Sequence, residues 1–260
     1  MQTLYSILAA FVAYLIGSIS FAVVVSRAMG LADPRTFGSR NPGATNVLRT
    51  GNKAAAVLTL LLDALKGFLP VLVVRLWGAR WGFGDGTVAL VGLAAFLGHL
   101  WPVFFHFQGG KGVATAAGVL LGLNPWLGAA TLLTWIIIAA FFRYSSLASI
   151  VSAVFAPFYQ LLIWGGGPEA VAITVMSLLL LWRHAPNMRK LFAGTESRLG
   201  QKSSAPAAAA HASAGAHAAA PAKGTRAHAA GDAHHAADHG SHPASHHGSH
   251  GKRRGHGAHR

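Results

Sequence analysis

Seven apolar blocks fill the first 200 residues, and their length is the feature that most limits what this chain can become. A bilayer-spanning helix needs roughly 17–25 predominantly apolar residues. The blocks lie at about residues 4–26, 54–75, 87–105, 113–123, 126–142, 147–164 and 169–182. The fourth is short, and the glycines at its start predict a half-helix or one buried steeply in the bundle. The first block is a poor cleaved signal peptide, because it lacks a basic start and is too long for a simple apolar core. The expected fold is all-α and polytopic, with about seven transmembrane helices.

Composition sharpens this and divides the chain. Only 11% of residues are charged, against roughly 25% in soluble domains. Residues 1–200 form the expected membrane domain, and residues 201–260 an Ala/His/Gly-rich basic tail with 12 of the 15 histidines. No stretch of the tail can bury a core, so disorder is expected there. Metal buffering by histidine and attraction to anionic lipid or nucleic acid through Lys252, Arg253 and Arg254 are its functional readings, a solvated appendage the simpler one. The chain has no cysteine, which excludes disulfides, thiol nucleophiles and thiolate metal sites.

Lys and Arg concentrate in the loops on one side. Loops 27–53, 106–112, 143–146 and the segment from 183 carry Arg27, Arg35, Arg40, Arg49, Lys53, Lys111, Arg143, Arg183, Arg189, Lys190 and Arg198, whereas the opposite side offers little beyond Arg75 and Arg80. The positive-inside rule then places the N-terminus outside and the C-terminus in the cytoplasm. The polar clusters outside the tail also fall on that inner side.

The first cluster, GSRNPGATNVLR from Gly38 to Arg49, combines glycines, amides, hydroxyls and two guanidiniums. Glycines let backbone N–H groups close around an anion, and arginine adds a planar charged fork suited to phosphate. Attraction to anionic lipid would need the charge but not the amides and glycines. The second, GHLWPVFFHFQGGKGVAT, sets Gly109, Gly110, Lys111 and Gly112 just before an apolar helix, whose positive end would face an anion. It is no Walker A loop, since Phe105 stands where a glycine is needed and Gly112 where Ser or Thr is needed. The third, RHAPNMRKLFAGTE, contains His184, either a proton shuttle, a phosphate donor or a simple helix cap. Ser146 and Ser149 share a helix face in the remaining inner loop region. Asp63 and Lys66, inside the second block, read as an intrahelical pair, or else Lys66 lies nearer the substrate.

The five acidic residues before the tail, Asp33, Asp63, Asp85, Glu169 and Glu196, form no carboxylate pair suited to a metal. What remains is chemistry that relies on positioning and positive charge, with a lipidic partner entering from the bilayer. A transporter for a phosphorylated metabolite would also explain spans and anion loops, although transporter sites usually lie near the midplane between repeats. A lipid-binding scaffold would need only the basic loops.

The three quoted motifs closely resemble those of the PlsY family of bacterial acyl-phosphate:glycerol-3-phosphate acyltransferases, over about residues 5–200 and in the same order. One departure is Arg40, where the pattern more often holds a small residue. The resemblance implies transfer of a fatty acyl group from acyl phosphate to the 1-hydroxyl of glycerol 3-phosphate, yielding lysophosphatidic acid and inorganic phosphate. This is the first acylation of bacterial phospholipid synthesis, at the cytoplasmic face of the inner membrane. It implies Ser39, Arg49, Lys111, His184 and Asn187 in the reacting site, with Asn41 and Asn46 shaping the loop. Backbone N–H groups of Gly109, Gly110 and Gly112 would hold the acyl-phosphate headgroup, and Ser149 and Glu196 are further substrate-site candidates. Either His184 or a substrate phosphate would accept the proton. The expected partners are the two substrates and membrane lipid, with no cofactor, metal or nucleic acid; the sequence sets no oligomeric state.

Overall fold

The computed structural model describes residues 1–200, and the expectation for the tail lies outside the described residues. Within them the regular structure is helical. The order is α1 (Gln2–Gly17), α2 (Phe21–Ala28), the single turn α3 (Ala44–Val47), α4 (Lys53–Trp77), α5 (Asp85–Leu100), α6 (Val113–Leu123), α7 (Pro125–Phe142), α8 (Ser145–Tyr159), α9 (Pro168–Arg183) and α10 (Ala185–Phe192).

Five stretches are long and apolar enough to cross a membrane: Gln2–Ala28, Lys53–Trp81, Asp85–Phe105, Pro125–Phe142 and Ser145–Trp164. The other two expected spans are present as the shorter helices α6, with 11 residues, and α9, with 16. At 1.5 Å per residue these reach roughly 16 and 24 Å, against a hydrocarbon core of about 30 Å.

The helix surfaces show which solvent the bundle is built for. In α4, Leu58, Leu61, Leu65, Leu69, Val73 and Leu76 are exposed, while Thr59, Asp63, Lys66 and Gly67 are buried. That reverses a water-soluble amphipathic helix and suits hydrocarbon outside with polar groups turned inward. Asn52 Oδ1 caps α4 by accepting from Ala55 N at 3.0 Å, and Asn124 Oδ1 caps α7 by accepting from Trp126 N.

α6 runs through the middle, with Thr115, Gly118, Val119 and Leu120 among its buried residues. It lies directly on α4: a Cβ at Gly118 would stand 1.9 Å from Ala64 O, and one at Gly67 2.3 Å from Thr115 O. Small residues at the crossing are what permit backbones to come this close. Phe96 and Leu100 of α5, Val119 of α6, Leu127 of α7 and Ile173 of α9 form the main apolar core around it.

The first expected span is present as Gln2–Ala28, but its helix is not continuous: it is broken at Ser18–Ser20 into α1 and α2. Ser18 Oγ bonds back to Tyr14 O at 2.8 Å, and Ile19 O accepts from Lys66 Nζ at 2.7 Å. The lysine ammonium thus takes a carbonyl that a continuous helix would have used internally.

Candidate active site

The loop between α2 and α4 is organised by one buried side chain. Asn46, only 2% exposed, accepts from Ser39 N at 3.0 Å and donates to Pro34 O at 2.7 Å and Phe37 O at 3.2 Å. Gly38 at φ +57° leaves room for this amide, since a Cβ there would stand 2.4 Å from Asn46 Oδ1. Asn46 therefore shapes the loop, and Ser39 lines a cleft. Arg35 is held at 2.6 Å by Asp33, whose carboxyl lies below its usual range chiefly because of that guanidinium.

The loop between α5 and α6 is pressed onto the end of α5. A Cβ at Gly109 would lie 2.2 Å from His99 O, and one at Gly110 2.2 Å from His99 Nε2. Gly110 donates its N–H to His99 O at 3.2 Å, so that donor is used inside the fold. Arg183, at the end of α9, grips the other side: Nη2 donates to Gly109 O at 2.7 Å and Gly110 O at 2.9 Å, and Nε to Gly110 O at 3.1 Å. A peptide plane carries its carbonyl and the next N–H in opposite directions. Holding Gly110 O therefore aims the Lys111 N–H away from Arg183. The N–H groups of Lys111 and Gly112 meet no acceptor among the described residues.

From Lys111 a polar chain crosses to the other loops. Lys111 Nζ donates to Asn187 Oδ1 at 2.5 Å, and Asn187 Nδ2 to Glu196 Oε1 at 2.7 Å. Ser146 Oγ donates to the same Glu196 oxygen at 2.8 Å. Burial pushes the Lys111 ammonium down to about 8; Glu196 works against that shift, and Lys190, Arg183 and Arg49 add to it. The segment after α10 is strapped across the site: Arg49 Nη2 donates to Ser197 Oγ, and Leu199 N to Arg143 O at 2.7 Å.

His184 joins α9 to α10 and is 2% exposed. Its Nδ1 lies 2.8 Å from Leu180 O, which has only lone pairs to offer, so Nδ1 carries the proton and Nε2 is the acceptor. Burial first, then the charges of Lys111 and Arg183, press the imidazole down to about 4 despite that bond. The ring is neutral at pH 7.

Two clefts open on this polar end. One, of about 210 Å³, is lined by Ser39, Arg40, Asn41, Gly109, Lys111, Arg183, Pro186, Asn187 and Lys190. The second, of about 430 Å³, shares Arg40, Gly109 and Arg183 and adds Arg35, Pro42, Phe107 and Gln108. Neither has a carboxylate in its wall.

Ser39, Asn41, Gly109, Lys111 and Asn187, all sequence candidates, thus share one cleft. Arg49, Glu196 and His184 adjoin it through hydrogen bonds or their effect on the neighbouring charge. Gly112, at φ +85°, opens α6 against the Phe96 ring. Ser149 faces elsewhere, donating to Ser145 O at 2.8 Å and accepting from Trp135 Nε1 at 3.1 Å. Sequence reasoning missed Arg183, Arg40, Lys190 and Ser146 as site residues. All four stand within the polar clusters already singled out, but which side chains turn toward the cleft is a matter of tertiary contact.

Fold and site define a helical integral membrane protein with a cationic, polar-lined double cleft at one end of its bundle. The glycerol-3-phosphate acyltransferase family model matches residues 7–194. The chain is similar to the glycerol-3-phosphate acyltransferase of Ralstonia nicotianae (strain ATCC BAA-1114 / GMI1000), 69% identical over 190 residues, covering 73% of this chain and 92% of that one. It is 60% identical over 206 residues to that of Paraburkholderia phymatum, covering 79% and 98%. It also matches the crystal structure of PlsY (YgiH), an integral membrane glycerol 3-phosphate acyltransferase, in its glycerol 3-phosphate form. There the TM-score is 0.71 at 38% identity, covering 75% of this chain and 96% of that one. The chain belongs to the glycerol-3-phosphate acyltransferase family of PlsY, and it is an acyltransferase.

Proposed function

We propose that this acyltransferase moves a fatty acyl group from acyl phosphate to the 1-hydroxyl of glycerol 3-phosphate, giving lysophosphatidic acid and inorganic phosphate. The observation that carries this reading is the pair of adjoining clefts walled by Arg35, Arg40, Lys111, Arg183 and Lys190 without a carboxylate. Two anionic substrates need two neighbouring cationic walls. The solved PlsY structures, one in a glycerol 3-phosphate form and one in a lysphosphatidic acid form, add support, since those would be acceptor and product here.

In this reading Ser39, Lys111 and Asn187 hold the glycerol phosphate in the smaller cleft. The N–H groups of Lys111 and Gly112, which meet no acceptor among the described residues, receive the acyl phosphate. The glycerol oxygen attacks the acyl carbon; its new C–O bond forms as the acyl–phosphate C–O bond breaks, and phosphate leaves with the electron pair. Lys111 stabilises the charge that develops on the oxyanion and the departing phosphate. A phosphate oxygen takes the hydroxyl proton. His184, with its imidazolium at about 4, is a weaker acceptor than a phosphate monoester, whose second pKa is about 6. No cofactor enters this step.

The same reading sets seven spans in the bacterial inner membrane, N-terminus outside, with α6 and α9 completing the five longer ones. The arginines and lysines of the site end then face the cytoplasm. The test is purified protein supplied in turn with acyl phosphate, acyl-CoA and acyl carrier protein. Product from acyl phosphate alone, lost in Lys111→Ala, is the expected result. Product from another donor alone overturns the reading.

A further inference from the structure

Behind the cleft lies a buried polar group that the proposed reaction does not use. Asp63 and Lys66, with side chains 4% and 2% exposed, form an ion pair at 2.7 Å on α4. His99 of α5 brings Nδ1 to 3.7 Å from the same carboxylate. Thr115, in the first turn of α6, donates its hydroxyl to Asp63 O at 3.0 Å and meets His99 Nδ1 at 3.2 Å. A hydroxyl has one proton, so His99 donates and Thr115 accepts. The charged pair thus sits deep in an apolar bundle, where ionisable groups are costly and rarely ornamental.

Its contacts run outward in two directions. Lys66 Nζ holds Ile19 O at the break between α1 and α2, the helix that leads into the Ser39 loop. His99 underlies Gly110, accepting its N–H through its own carbonyl while its ring occupies the space a side chain would fill. Thr115 anchors the start of α6 immediately after the Lys111 loop. One ion pair is therefore tied to both substrate-facing loops, though it lines neither cleft.

We propose that Asp63, Lys66, His99 and Thr115 are positioning residues that fix the Ser39 loop against the Lys111 loop, and so the approach of one substrate to the other. The proposal rests on the acyl-transfer reading above. Ser39 and Lys111 share the glycerol phosphate, but a flexible lysine follows it through a small shift, whereas the distance between the reacting atoms has no such slack. Loss of the tie therefore lowers turnover and leaves binding of a single substrate intact. A misplacement of about 1 Å at a reacting centre can cost about 100-fold in rate.

The test uses full-length protein and two variants. Asp63→Asn with Lys66→Met removes the pair without stranding a buried charge. Thr115→Val keeps shape and removes both hydroxyl bonds, with Thr115→Ser as the rescue. Glycerol 3-phosphate binding by calorimetry counts competent sites, and turnover is expressed per site. The expected result is a dissociation constant within about twofold of the native one, turnover per site reduced about tenfold to 100-fold, and recovery in Thr115→Ser. Native turnover per site in either the double variant or Thr115→Val overturns the proposal, and so does loss of binding in proportion to turnover. A native control inactive with acyl phosphate would instead sink the acyl-transfer reading, so the two failures are distinct.

Discussion

Lys111 is held in a strained electrostatic position. Burial and three neighbouring cations disfavour its charge, and only Glu196 among the influences named favours it. Its folded value of about 8 lies below the ordinary 10.5. Between those two values the unfolded chain binds more protons, so stability rises with pH across that window. Below about pH 8 the cost is on the order of 3 kcal/mol. Lys111→Met should therefore raise the melting temperature of the substrate-free protein while abolishing turnover. An anionic ligand restores the preference for the ammonium. Glycerol 3-phosphate binding at pH 8.5 should take up well over half a proton, read by calorimetry in two buffers of different ionisation heat, and weaken about tenfold per pH unit above that. Binding without proton uptake would show that Lys111 does not face the phosphate. His184 makes the opposite prediction about chemistry. Loss of a true general base costs roughly 10²–10⁴-fold in turnover. If a phosphate oxygen takes the proton, His184→Gln should keep turnover within about tenfold, with its main effect on the Michaelis constant for glycerol phosphate.

At the scale of elements, the helices are set by a hydrocarbon solvent outside and backbone contact inside. The crossing of α4 and α6 has no room for a methyl group at Gly118, where Ala64 O stands 1.9 Å from an added Cβ. Gly118→Ala should thus cost about 1–3 kcal/mol, the usual range for overpacking. It should lower the melting temperature in detergent. Gly86→Ala, which meets nothing within 4 Å, is the control and should change little. The long spans were legible because an apolar run of bilayer length has few other uses. The polar loops were legible as one site because their charges share a side. The break at Ser18–Ser20 was not, since hydropathy averages over a carbonyl that Lys66 claims from 47 positions away. Arg183 was hidden for a similar reason. As the last residue of an apolar helix it reads as an interfacial anchor, and only the fold brings it onto Gly109 and Gly110. Ser149 differs the other way: its sequence position suits the site, while the fold gives its hydroxyl Trp135 and its own helix as partners.

On the scale of the whole molecule, the question is how a bundle with two short helices can put all four inner loops on one side. α6 is largely enclosed by its neighbours, so its 11 residues need not meet lipid along their whole length; buried backbone at membrane depth is tolerated where protein surrounds it. In the proposed seven-span topology α9 is the crossing that returns the chain to the site, where Arg183 at its end grips the loop between α5 and α6. Five crossings alone would end the chain on the same side as seven. They would, however, leave the two ends of α9 on one face. The chain has no cysteine of its own, which makes single-cysteine reporters clean. Ala32→Cys, Gly166→Cys and Ala193→Cys all occupy exposed or open positions. In intact cells an impermeant maleimide should label Gly166→Cys alone, and permeabilisation should expose the other two. Gly166 protected together with Ala193 would mean that α9 lies along the cytoplasmic face. Labelling of Ala32 from outside would invert the whole bundle and carry the site to the wrong side for cytoplasmic substrates.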